Sequence, residues 1–223
     1  MSRTEQNGNG KGSLNDIQSL VNNNPYLLNK LICKELSKTV PLNINWVSPL
    51  LSDNYAEYRD DDFVSLLDLT LSTTLNKFWP VRGPQWDALG KAETGEVFLI
   101  EAKANIPEMV SPGTKATSAK SLDLISKSLN EVKSFLKIDN TIDWSNRFYQ
   151  YTNRLAHLYF LREINKVPAY LVNIYFINDQ TVDGPTSQCE WESAIKVMKC
   201  YLGINRHKLS KYMIDLFIDV KYL

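Results

Sequence analysis

Histidine, cysteine and net charge are what this 223-residue chain has least of. Its two histidines, His157 and His207, lie too far apart in sequence to form a local metal-binding pair. Three cysteines, Cys33, Cys189 and Cys200, are scattered and show no CxxC spacing. That excludes a disulfide framework and a cysteine zinc site, and it fits a reducing, cytoplasmic setting. Lys plus Arg equals Asp plus Glu at 25 each, so the chain lacks the overall basic field of a dedicated non-specific nucleic-acid binder. Any basic surface must be local. No apolar run approaches the ~18 residues of a membrane span. The N-terminus is polar and rich in Asn and Gly, without an apolar signal core.

What is present reads as one soluble α/β domain, with 43% hydrophobic and 22% charged residues. Residues 1–12 are small and polar with nothing to bury, and are expected to be disordered. Residues 13–50 read as an N-terminal helical extension: two helical pieces broken near Pro25, then a proline-bounded connecting loop over 39–50. The expected core spans 53–178, and a C-terminal helix and strand close the chain over 190–223. Within the core, helical spacing of Phe63, Leu66, Leu67, Leu71 and Leu75 predicts a long helix from Asn54 to Asn76. Strands are expected at 85–91 and 96–104, with a shorter one at 78–82. Helices are expected over 118–137 and 143–165. The run AYLVNIYFIN, residues 169–178, should be a buried strand, followed by a helix at 190–202 and a strand at 214–220. The predicted architecture is a central mixed sheet of four to five strands with helices on both faces.

The chemistry concentrates in residues 84–103. The apolar run Val97 to Ile100 leads directly into Glu101, Ala102 and Lys103. Strand alternation puts Glu101 and Lys103 on one face and Ala102 on the other. Asp87 lies on the preceding hairpin arm, 14 residues earlier, and the turn Gly90 to Gly95 folds the arms together. Two carboxylates and a lysine then converge at one end of a small sheet, where burial without a counter-ion is costly. A divalent cation would relieve that conflict, and such oxygen donors suit Mg²⁺ or Mn²⁺ better than zinc.

Asp87 followed by Glu101-Ala102-Lys103 resembles the signature of the PD-(D/E)XK nuclease superfamily, which has a restriction-endonuclease-like fold. The resemblance covers roughly residues 53–178. It departs at Pro84, which stands three residues before the aspartate instead of next to it. The resemblance implies a Mg²⁺-dependent hydrolase of phosphodiester bonds, with nucleic acid, DNA in the first instance, as substrate. Asp87, Glu101 and the backbone carbonyl of Ala102 would hold the metal, and Lys103 would orient the attacking water. Family members often add a carboxylate from the preceding helix. Glu57, 30 residues ahead of Asp87, is the choice here, with Asp61 as its rival. Many relatives pair as homodimers to cut two strands.

Other candidates have bland readings beside the functional one. Gln150, Arg154 and His157 fall on nearby faces of one helix; Gln150 and Arg154 could touch phosphate, or Arg154 could sit in a structural ion pair. Lys120 and Lys127 could face a nucleic-acid backbone, or simply be the solvated side of their helix. The acidic run at residues 57–62 could complement a helix dipole. Two further readings stay open: a catalytically inactive member of the same fold that binds nucleic acid or protein, and an unrelated α/β protein whose hairpin imitates the motif.

Overall fold

A computed structural model describes residues 2–8, 10–37, 42–139 and 141–223. Five strands form one mixed sheet: β2 (Ile44–Ser48), β4 (Ala88–Ala92), β5 (Val97–Lys103), β6 (Ala169–Ile177) and β7 (Met213–Asp219), in the order β2-β4-β5-β6-β7. The β2–β4 and β4–β5 pairs are antiparallel, while β5–β6 and β6–β7 are parallel. Parallel neighbours need long crossovers, and here the chain between β5 and β6 supplies three helices, α4 (Ile106–Met109), α5 (Ala119–Leu136) and α6 (Tyr149–Tyr159). Helix α7 (Gln188–Tyr201) makes the next crossover.

Both faces of the sheet are covered. On one side α5, α6 and α7 pack Leu129, Val132, Leu155, Leu158, Trp191 and Met198 against Leu89, Leu99 and Leu171 of the strands. On the other, α1 (Ser13–Asn23) and α2 (Pro25–Glu35) set Ile17, Leu20, Leu28 and Ile32 against Phe98, Ile100, Val172 and Ile174. Double burial explains why β5 and β6 read as continuous apolar runs. Each fully buried Leu or Ile contributes about 1.5–3 kcal/mol relative to exposure. The pair α1–α2 is therefore a structural layer, not an appended extension. Its junction is made by Asn24, whose Oδ1 accepts from Leu27 N–H at 3.3 Å, with Pro25 opening the next helix.

Several expectations are corrected. The 39–50 segment is not simply a loop: β2 is an edge strand with alternating burial, Ile44 and Trp46 inward, and its prolines bound it. Prolines 41 and 49 hid that alternation, and Pro41 itself lies outside the described residues. The long helix over 54–76 shrinks to α3 (Asp60–Leu66), preceded by the two-residue strand β3 (Glu57–Tyr58). Asn54, Tyr55, Asp60 and Asp68 adopt left-handed backbone conformations that interrupt a longer helix. Asp60 also accepts hydrogen bonds from Arg82 and Gly83 N–H, both at 2.9 Å, which helps tie down a loop where the short strand 78–82 was expected. The helix expected over 143–165 starts only at Tyr149 and ends in a π-type turn over Phe160–Ile164.

Residues 2–8, part of the expected 1–12 tail, include a short strand; Met1 and Asn9 lie outside the described residues. Strand β1 (Arg3–Thr4) pairs antiparallel with β3, and Arg3 reaches Asp53 Oδ1 at 2.6 Å. Among the described residues, no helix is long and apolar enough to cross a membrane.

Candidate functional site

Backbone register builds the site. Ala88 pairs with Ile100 in the antiparallel β4–β5 ladder, so Asp87, one step further, stands opposite Glu101; its N–H donates to Ile100 C=O at 3.2 Å. A bridge between Tyr58 and Trp86 likewise sets Glu57 beside Asp87. Thr4 pairs with Glu57, Glu101 with Asn173, and Asn173 with Asp215. One polar rung thus runs from the small β1–β3 ribbon, through the Tyr58–Trp86 bridge, across the main sheet to β7, on the face covered by α6. Neighbouring strands are about 4.8 Å apart, so adjacent rung members are in electrostatic contact.

The centre of this rung is a charge cluster. Glu101 is 6% exposed, with Lys103 Nζ 2.5 Å from one of its oxygens and Arg154 Nε 2.6 Å from the other. Arg154, itself 5% exposed, also donates to Gln85 C=O at 2.7 Å and to Asn153 Oδ1 at 2.9 Å, and lies over the Trp86 ring. Each of its three nitrogens is engaged, which fixes the planar fork in one geometry and suits an arginine to a buried pair. Asp87 Oδ2 accepts from Ala102 N–H at 2.6 Å. Glu57 accepts from Gln6 Nε2 at 2.9 Å. Glu57, Asp87 and Glu101 face the two cations Lys103 and Arg154, so the cluster is one charge negative when all are ionised.

That imbalance appears in the ionisation of each group. Burial, then the charge of Asp87, raises the Glu57 pKa. Burial, then the charge of Glu101, raises that of Asp87. Glu101 goes the other way: burial disfavours its charge, but Arg154 and Lys103 together hold it ionised below the usual range. Burial also disfavours the Lys103 ammonium, and Glu101 and Asp87 more than offset it. Glu57 and Asp87 are therefore the under-compensated pair.

Asp87, Glu101, Lys103 and Glu57 are brought together, although Glu57 arrives on β3 and not on a helix. At Ala102 the contact seen is made by its N–H. Asp61 is exposed on α3 and stays away. Lys120 and Lys127 are exposed on α5. Gln150 lines a cleft of about 770 Å³ beside the cluster, together with Arg154, Arg59, Arg82 and Lys115. Among the described residues no carboxylate lines this cleft. His157 is fully buried between Trp79 and Trp86, with Nδ1 2.8 Å from Asn153 C=O; burial pulls its pKa down to about 3, so it stays neutral. The sequence reading missed Gln6, which sits in a polar tail with no distinguishing signal. It also missed Asn173, whose signal was legible as a lone amide inside an apolar strand.

Among the described residues no group of three or more His, Cys, Asp and Glu side chains stands ready to hold a metal ion. The donor chemistry nevertheless fits a hard cation. Glu57 and Asp87 are neighbouring oxygen donors that lack a dedicated cation partner, and a divalent ion would lower both pKa values. Comparison with models of known families, with curated proteins and with solved structures found no match to this chain.

Proposed function

We propose that this chain is a Mg²⁺- or Mn²⁺-dependent nuclease of the restriction-endonuclease-like fold, hydrolysing phosphodiester bonds in nucleic acid, with DNA as the first substrate to test. The observation that carries the reading is the convergence of Glu57, Asp87 and Glu101 on one rung, with Lys103 two residues along the same strand face, next to a cleft lined by cations. Glu57 and Asp87, with Glu101 and the Ala102 backbone, would hold the ion. When bound, such an ion supplies Lewis acidity and a more acidic water. Lys103, held by Glu101, presents a compact positive charge that can orient a water oxygen and offset charge developing on phosphate. Arg154 keeps Glu101 ionised and oriented. Arg82, Lys115 and Gln150 offer the cleft's charge and amide donors to the phosphate backbone.

One observation favours a second reading, a binding module that keeps the fold without catalysis. Both Glu101 oxygens are already engaged by cations, and Glu101 does not line the cleft. Isothermal titration of Mg²⁺ and Mn²⁺ into the wild type and Asp87→Ala, with plasmid and oligonucleotide cleavage on the same samples, separates the two. Metal binding and metal-dependent nicking, both lost in Asp87→Ala, support the nuclease. Nucleic-acid binding with neither metal binding nor cleavage supports the module.

A further inference from the structure

A second charged site lies beyond the far end of the polar rung. The stretch from Ser193 to Ile214 contains Lys196, Lys199, Arg206, Lys208 and Lys211 and no acidic residue. Folding brings four of these, all but Lys196, around two cavities of about 390 and 610 Å³ that share Arg206, His207 and Ser210 as a common wall. The smaller is also lined by Tyr151, Lys199 and Asp215, the larger by Lys208, Lys211 and Glu163. In a chain of zero net charge, this is a local surplus of positive charge.

The neighbouring acids do not cancel it. Asp215 already accepts from Asn173 Nδ2 at 2.8 Å and from Lys199 Nζ at 3.2 Å. Among the described residues, Glu163 is the one acid that lines the larger cavity with Lys208, Lys211 and Arg206. The Lys208 ammonium lies over the Phe135 ring at 4.7 Å and that of Lys211 over Tyr212 at 4.9 Å, cation–π contacts that hold both charges at the cavity without neutralising them. Arg206 is exposed and makes no ion pair among the described residues.

His207 is fixed in a donor orientation. Its ring Nδ1 accepts from Leu209 N–H at 3.2 Å, while its backbone N–H donates to Ser210 Oγ at 2.9 Å. In the neutral ring the remaining proton is therefore on Nε2, available to an acceptor. Arg206, His207 and Ser210 thus combine a full charge, a ring donor and a hydroxyl on one shared wall.

We propose that this wall is a phosphate-binding site, separate from the carboxylate cluster, that takes either a nucleic-acid backbone phosphate or the phosphate of a small mononucleotide. Charge-assisted hydrogen bonds from a guanidinium are the strong ones for such an anion. The site does not depend on cleavage: a protein that bound no metal and cut nothing would still have it.

The test is an NMR titration of the wild type and Arg206→Ala, following the imidazole C2–H signals of both histidines. The probes are inorganic phosphate, a nucleoside 5′-monophosphate and a short single-stranded oligonucleotide. His157, buried among tryptophans, is the internal control. Burial and Lys199 depress the His207 pKa, and a bound anion should raise it. The expected result is a saturable His207 shift that His157 does not share, with affinity about tenfold weaker in Arg206→Ala, or about 1.4 kcal/mol. Equal binding of phosphate and monophosphate, with no gain for the oligonucleotide, identifies a small-molecule site. Tighter oligonucleotide binding that falls steeply with salt identifies the backbone source. No His207 shift with any probe, or the same affinity in Arg206→Ala, overturns the proposal.

Discussion

Arg154 Nε lies 2.6 Å from Glu101 Oε2, although the two residues are 53 positions apart and sit on a helix and a strand. The pair is buried, and Lys103 holds the opposite oxygen of the same carboxylate. A carboxylate held from both sides keeps its charge and its orientation without a metal. Glu57 and Asp87, by contrast, repel one another and lack a cation of their own. The rung therefore has a compensated half and an uncompensated half, and the metal hypothesis concerns the second.

Breaking the compensated half should cost stability. Arg154→Met removes the guanidinium and leaves Glu101 buried with Lys103 alone. Loss of one partner from a buried pair costs about 3–5 kcal/mol, and the remaining lysine places the expected value near the lower end. Urea unfolding of the two proteins measures it. A loss under about 1 kcal/mol would mean that water reaches Glu101 and the pair is not the buried one described.

Lys103→Met probes chemistry more than assembly. Arg154 still holds Glu101, so the fold should persist and Mn²⁺ binding should remain. Cleavage should fall by about 10²–10⁴-fold, the usual contribution of a positioned proton-transfer or charge-stabilising group. Unchanged cleavage at full metal occupancy would remove Lys103 from the mechanism.

A buried carboxyl away from the site, Asp16, is expected to add a pH dependence of its own. Asp16 on α1 is 5% exposed, and burial, then the nearby charge of Asp179, raises its pKa from 3.8 to about 7; Glu108 adds to the shift. Asp179 in turn accepts from Thr181 N–H and Oγ1, both at 2.7 Å. The folded pKa lies above the unfolded one, so the folded state binds the extra proton. Its contribution is complete below pH ~4 and is lost as pH rises through about 7. Asp16→Asn keeps a donor toward Asp179 without the titration. The variant should match the wild type at pH 4 and exceed it at pH 8 by up to about 4 kcal/mol. Urea melts at both values measure this, and identical pH profiles would show that Asp16 holds no extra proton in the folded state.

Much was readable along the chain because strand alternation is a local rule. It placed Glu101 and Lys103 on one face before any fold was known, and the hairpin spacing put Asp87 opposite them. Helices α1, α2, α5 and α7 carried their own periodicity, with side-chain caps at Asn24 for α2 and Ser118 for α5, and β6 announced itself by continuous apolar side chains. Acidic residues near a helix start look alike in sequence whether they cap, bridge or bind. Only the Tyr58–Trp86 bridge decided that Glu57, and not Asp61, belongs to the rung. Gln6 gave no local sign because its partner, Glu57, is 51 residues away. The sequence by itself determined which residue types share a strand face. Tertiary structure decided which charges are compensated, because compensation depends on pairs such as Arg154 and Glu101 that meet only when helix α6 packs across the sheet.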